Sequence, residues 1–426
     1  MSKKYFRQLL FLSTLVMLFA SSPFLTQAEG LKGKVTIWYW DDTYIKKMTT
    51  AFNKQYPDII IENTPVQSGD YARKVQISVA TGLELPDIIM GEIGFRGKIF
   101  DLDIWENLEK RPYNFNRKSY FDYLIPTMTD SKDRVVGIEQ SINAAGLAYN
   151  RSLAIKYFGT DDPKKLQAMM PTWDKFIAKG KEVKTKSNGS VFMFPSLDDV
   201  EMIILNQNPV SLMKGNVMNG TGTAGKVLDM MIKMRNAGIV GKLNAWTPAW
   251  YASFTSEKYI FYPCPTWFPR FFIQPNDKDK SVIWGMIMPP GGGFSWGGTT
   301  MSIPKSSKNK EMAWLFIKWC QLSQEGAKAN KELCDNPVPL KTLYQDPTFL
   351  VDKNPWFGGQ DIGEVYYKEI APTLKVRPIS KYDLDYSDVM GLIVRSLNQE
   401  MSWDTKIAFD KFKAEMKNKN PDLTIR

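Results

Sequence analysis

Asp41 and Asp42 close a run of aromatic and β-branched residues, KVTIWYW (34–40), and Glu92 follows a second apolar run, DIIM (87–90). Carboxylates at strand ends can accept hydrogen bonds from hydroxyl groups, and a tryptophan beside them offers a flat apolar face with a polar N–H. That pairing suits a sugar, whose C–H faces stack on rings while fixed acids and amides hold its rim of hydroxyls. The chain is rich in such rings, with 13 Trp, 18 Tyr and 24 Phe. Trp40, Trp250, Trp267, Trp296 and Trp356 lie in or beside stretches of Gly, Pro, Asp and Thr, where the chain turns and a ring can face a cleft. Packing beneath loops is the competing reading for these five. Trp314 and Trp319 fall at helical spacing and are read as core.

Other chemistries are poorly served. Histidine is absent, which removes the commonest general base and transition-metal ligand, and with them Ser-His-Asp, Cys-His and zinc-hydrolase sites. Cys264, Cys320 and Cys334 have no metal-ligand spacing; Cys320 and Cys334 could form one disulfide or stay as buried thiols. PPGGGFSWGG (289–298) is no phosphate loop, because it lacks the Gly-Lys-Ser/Thr ending and leads into a strand. Glycoside hydrolysis needs two carboxyl groups at a set separation, which Asp41 or Glu92 with another acid could supply. An exported carbohydrate-active enzyme therefore stays open beside a binding protein, although no hydrolase pattern is present. A polyamine could use the same acids and rings through cation–π contacts. No cofactor and no metal is expected.

The elements that would position these residues follow from periodicity. After the strand 34–40, Asp42 or Thr43 can cap a helix with Ile45, Met48, Phe52 and Tyr56 on one face. Strand 59–63, a helix over 70–81 stopped by Gly82, and the run 87–90 complete a β-α-β-α-β series, which predicts a parallel sheet with ligands at its carboxyl end. Extended chain over 134–150 precedes helices near 151–158, 173–184 and 225–237. The methionines of the last are read as core filling. Strands near 259–262 and 282–288, the Pro/Gly-rich loop, a strand TTMSIP and a largely helical final third follow.

Length and charge set bounds. The 426 residues exceed one ordinary core, so two lobes are expected. Lys3, Lys4 and Arg7 precede an apolar run from Leu9 to Ala20, and Thr26-Gln27-Ala28 offers the small residues of a cleavage site, so residues 1–28 read as an export signal cut near Ala28. No cysteine lies near that point, so a lipid anchor is not expected and a free periplasmic protein is. Taking those three basic residues from a net charge of +10 leaves +7, interleaved with acids, which speaks against nucleic acid as a partner.

Several segments in order carry a resemblance: VTIWYW, AFNKQYPDIIIE, SGDYARKVQISVATGLELPDII (68–89), GLAYNRSL (146–153) before TWDKF, PTWFPRF around Trp267, WGGTTMSIPKSSKNKEMAWLFIKW (296–319) and WFGGQD (356–361). Over nearly its whole length the sequence resembles extracellular solute-binding proteins of ABC sugar importers, of the maltose-binding type. The resemblance implies an α/β, two-lobed type II periplasmic-binding-protein fold, each lobe a mainly parallel sheet flanked by helices, with the ligand cleft at the hinge. It implies a first lobe over 29–140 with a return over 296–350, a second lobe over 141–295, and a helical part over 351–426 packed mainly on the second. The implied function is capture of a sugar, an oligosaccharide, by lobe closure and delivery to a membrane permease by a monomer that is not an enzyme. Carried over by position, Asp41, Asp42 and Glu92 meet sugar hydroxyls, Trp267 stacks on the sugar, Trp296 marks the re-entry into the first lobe, and Tyr71 after the SGD turn is a further contact. Asn143 stands on the crossing segment where the maltose-binding type carries a carboxylate; an amide there puts maltose itself in doubt.

Overall fold

The computed structural model describes residues 30–426, so the export-signal reading of 1–28 lies outside the described residues. Among those described, twelve strands follow one another: β1 (Gly33–Trp38), β2 (Ile59–Thr64), β3 (Ile88–Glu92), β4 (Ile138–Glu139), β5 (Ala144–Asn150), β6 (Met213–Lys214), β7 (Val217–Met218), β8 (Phe261–Pro265), β9 (Trp284–Ile287), β10 (Phe294–Ser295), β11 (Thr299–Ser302) and β12 (Thr424–Ile425). The first sheet has the order β2-β1-β3-β11-β4, and the second is built on β5, with β8, β9 and β10 as its partners. A small third sheet, β12-β7-β6, ties the C-terminus to the second lobe.

Strands β1, β2 and β3 are parallel, as their short β-α-β spacing dictates. Two departures from a mainly parallel reading follow. β11 enters the first sheet antiparallel to both β3 and β4, because it returns from the second lobe rather than through a crossover helix. In the second lobe β5 pairs antiparallel with β8, β9 and β10, and among the described residues parallel pairing is confined to the bridges Phe192–Tyr259 and Phe194–Val240 and to β12 with β7.

In the first lobe the helix Asp42–Phe52 buries Tyr44, Ile45, Met48 and Phe52. It ends at Phe52, so Tyr56 packs from beyond it, with its ring 4.7 Å from that of Phe52. Phe52 also meets Phe316 and Trp319 edge-on, which places the helical-period tryptophan in the core as expected. Asp87 pins β1 to the return segment. It accepts from Thr36 N at 2.9 Å, Ser307 Oγ at 2.7 Å and Asn309 Nδ2 at 3.2 Å. Burial alone would raise this carboxyl, but those hydrogen bonds outweigh it and hold it below the usual carboxylate range. In the second lobe Phe176, Phe194 and Phe261 form a stacked and tilted cluster against the sheet.

The two sheets are joined by extended chain. Residues 140–143 run from β4 to β5, and residues 296–298 run back from β10 to β11. Trp296 N donates to Asn143 O at 3.0 Å and Gln140 N to Thr299 O at 2.9 Å, so the two crossings are knitted side by side. Ile142 N reaches a third pass at Pro337 O, also 3.0 Å. Gly298 has φ +111° and packs where a side chain would meet Asn143 Nδ2 at 2.4 Å, which restricts that position to glycine. The helix Asp383–Gln399 touches both lobes. Asp385 pairs with Lys98 at 2.9 Å, while Arg235 donates to the carbonyls of Leu397, Glu400, Met401 and Trp403 at its far end. All three cysteines are free and buried, so Cys320 and Cys334 take the thiol option. Among the described residues no helix is long and apolar enough to cross a membrane.

Candidate ligand-binding site

A cavity of about 310 Å³ lies where the crossings meet the ends of β1 and β3, lined by Tyr39, Trp40, Asp41, Glu92, Gln140, Ser141, Asn143, Trp267 and the Gly297–Thr299 return. Its first wall comes from the loop after β1. Trp40 is half-buried and packs edge-on against Tyr39 at 4.7 Å, Tyr71 at 5.6 Å and Phe95 at 6.0 Å between ring centres. Asp41 is the helix cap, its Oδ1 accepting from Tyr44 N at 3.0 Å, so the cap falls one residue before Asp42 and two before Thr43. Glu92 caps the next helix, Ile93–Phe100, accepting from Gly94 N at 2.7 Å. Burial pushes its carboxyl up to about 7, against the lowering effect of the Gly94 N–H and the Arg96 guanidinium. Beneath Glu92, Arg96 and Glu139 form a buried ion pair at 2.8 Å.

The hinge supplies amides and a hydroxyl. Tyr39 Oη donates to Gln140 Oε1 at 3.3 Å, and Asn143 Nδ2 donates to Ser141 O at 2.8 Å. Asn143 itself has φ +50°, a left-handed conformation that asparagine tolerates better than most residues. Gln140 Nε2, Ser141 Oγ and Asn143 Oδ1 are buried and have no hydrogen-bond partner in the protein. The second lobe contributes Trp267, whose Nε1 donates to Trp296 O at 2.9 Å and whose ring lies 5.0 Å from that of Trp296.

Trp40, Asp41, Glu92, Asn143 and Trp267 are thus brought together. Trp296 is adjacent and lines a neighbouring cavity. Four expected contacts sit elsewhere. Asp42 opens the helix and is held away from the cavity, pairing with Lys46 one turn on at 2.6 Å and accepting from Asn63 Nδ2 at 3.2 Å. Tyr71 is fully buried; its Oη donates to Trp38 O and accepts from Met90 N, leaving it to prop up Trp40. Trp250 is fully buried among Trp246, Phe254 and Phe268. Trp356 pins a loop by donating to Asp277 O at 2.7 Å, with Lys280 over its ring. Among the described residues no cluster of acids and cysteines could hold a metal ion.

The family model for bacterial extracellular solute-binding proteins matches residues 47–354. The chain belongs to that family. Among its solute-binding relatives are a lactose-binding protein of Rhizobium radiobacter, 26% identical over 43% of this chain and 44% of that protein, and an arabinooligosaccharide-binding protein of Bacillus subtilis, 25% identical over 76% and 77%. The match thus spans less than half of the first of these. The solute-binding fold is shared with an extracellular solute-binding protein of family 1 (TM-score 0.80, 19% identity, 90% of this chain and 99% of the other). It is shared also with the galacto-N-biose/lacto-N-biose I-binding protein of Bifidobacterium longum (TM-score 0.73, 19% identity, 93% and 100%). In this solute-binding protein Tyr39, Gln140, Ser141, Phe271, Phe272 and Asn336 also line the cavity and escaped the sequence reading. Gln140 and Ser141 could have been suspected from their place beside Asn143 on the crossing segment; Asn336 carries no such signal.

Proposed function

We propose that this chain is the exported, substrate-capturing component of an ABC importer, that its ligand is an oligosaccharide, and that the lobes close on it about residues 140–143 and 296–298 before it passes to a membrane permease. The observation that carries this reading is the trio of unpartnered buried atoms, Gln140 Nε2, Ser141 Oγ and Asn143 Oδ1, on residues that line one cavity. A buried polar group without a partner costs about 1–3 kcal/mol. A ligand rim of hydroxyls, able to donate and accept, suits residues with this unused hydrogen-bonding capacity. Trp40 and Trp267 add rings for its C–H faces, and Asp41 and Glu92 add acceptors. The sugars named for the two relatives support the same class.

The protein works as a monomer, without cofactor and without turnover. Asp41 and Glu92 each commit an oxygen to a helix N-terminus, which suits fixed acceptors better than a nucleophile and acid on opposite sides of a bond. A diamine is less well matched, since burial pushes the Glu92 carboxyl up to about 7 and disfavours its charged form. Thermal shift followed by calorimetry against mono- and oligosaccharides and diamines tests the reading. Stoichiometric capture of a sugar at about micromolar affinity, with no product formed, is expected. Turnover, or capture of diamines alone, overturns it.

Glu92 also gives the site a pH dependence. Hydroxyl donors favour its ionised form, which grows as pH rises through about 7, so sugar affinity should increase on the order of tenfold from pH 6 to 8. In Glu92→Gln the profile should be flat over that range and the affinity at pH 8 lower than in the parent.

A further inference from the structure

A second cavity, of about 530 Å³, abuts the first across the Trp267–Trp296 pair and is walled by Asp198, Glu201, Trp246, Trp296 and Arg395. Trp246 is its most unusual member. The side chain is 46% exposed, yet the backbone is held at φ +67°, a left-handed conformation costly for a bulky residue. Its ring lies 5.7 Å from that of Trp296 and 5.3 Å from that of Phe272, which lines the first cavity. Trp267 is itself 5.8 Å from Phe272. A continuous aromatic ridge therefore runs from one cavity into the other and ends on an open indole face.

The polar groups around that face are matched to an uncharged solute. Asp388 is neutralised by Lys419 at 2.7 Å, and Asp198 already accepts from Ser196 Oγ at 2.6 Å and Ala245 N at 3.1 Å. Burial, and then the neighbouring Asp198, push the Glu201 carboxyl up to about 8, so near neutral pH it donates as well as accepts. Hydroxyls find donors and acceptors there, and the Arg395 guanidinium in the same wall disfavours a cation.

Building on the sugar reading, we propose that the binding site continues past the Trp267–Trp296 pair into this second compartment, and that the ligand is an uncharged glycan of three or more units whose distal units stack on Trp246 and hydrogen-bond to Asp198, Glu201 and Arg395. The first cavity alone has room for a short sugar; the ridge and the second compartment give length its own contacts.

Calorimetry of the full chain with the di-, tri- and tetrasaccharides of the maltose and arabinobiose series tests this, in the parent and in Trp246→Ala. In the series that binds, the tetrasaccharide should bind at least about tenfold tighter than the disaccharide. Trp246→Ala should abolish that gain while leaving disaccharide affinity within about twofold and the melting temperature of the empty protein within a few degrees, because the ring is exposed. Glu201→Ala, which removes both donor and acceptor, should reduce the same gain. Equal affinity for short and long sugars, or equal weakening of both by Trp246→Ala, overturns the second compartment and leaves the first intact. If neither series nor any other sugar binds, the sugar reading falls and this one with it.

Discussion

Alanine in place of Trp267 should lower sugar affinity at least about tenfold, a loss of about 1.4 kcal/mol, while the empty protein melts within a few degrees of the parent. The ring is half-buried and lines, from the other lobe, the same cavity as Trp40. Ring stacking alone is worth about 0.5–1.5 kcal/mol, and the apolar face that a ligand covers adds about 25 cal/mol per Å². The empty fold loses one hydrogen bond, to Trp296 O, worth about 1 kcal/mol net, and the ring contacts with Trp296 and Phe272, a cost that in a chain of 426 residues shifts the melting temperature by a few degrees. Titration calorimetry beside thermal melting separates the loss of binding from that of stability. An unchanged affinity would remove Trp267 from the site.

The opposite pattern is expected for Arg96→Met. Arg96 is fully buried, and its guanidinium holds Glu139 at 2.8 Å, Gly91 O at 2.9 Å and Thr127 O at 3.0 Å. Methionine replaces the volume but leaves the Glu139 carboxylate buried without its counterion, which costs about 3–5 kcal/mol. Urea denaturation of the empty protein should register that loss. Because well-packed apolar pairs can replace buried ion pairs at little cost, Arg96→Met with Glu139→Leu should recover much of it. If the single variant is as stable as the parent, Glu139 is relieved by some other means and the pair is not what secures the end of β4. Glu139 immediately precedes the crossing segment, so this pair anchors the first-lobe side of the hinge.

The contrast between these two residues bears on what could be seen in the sequence. The loop after β1 was legible because a strand of aromatic and β-branched residues has to end somewhere, and the residues at its end face the cleft in an α/β sheet. Trp40, Asp41 and Glu92 followed from that alone, and Trp267 and Asn143 from the resemblance. Loop tryptophans were not separable from one another by the same means. Trp250 and Trp356 occur in turn-rich stretches like Trp267, but whether an indole faces a cleft or packs under a loop depends on partners far along the chain, such as Asp277 for Trp356. Tyr71 failed for a related reason: its hydroxyl is claimed by the backbone of β1 and β3, two strands brought together only by folding. The antiparallel second sheet was hidden because β5, β8 and β9 are short buried runs whose direction of pairing leaves no periodic signature. Arg96 and Glu139, 43 positions apart, carry no pairing signal in the sequence; only the fold buries them together.

Small-angle X-ray scattering of the protein with and without the tightest-binding sugar tests lobe closure most directly. The radius of gyration should fall on saturation, and restriction of the hinge, by a disulfide engineered to hold the lobes apart, should abolish both the fall and tight binding. Superimposable scattering profiles for the empty and saturated protein, with binding confirmed in the same sample, would contradict capture by closing lobes.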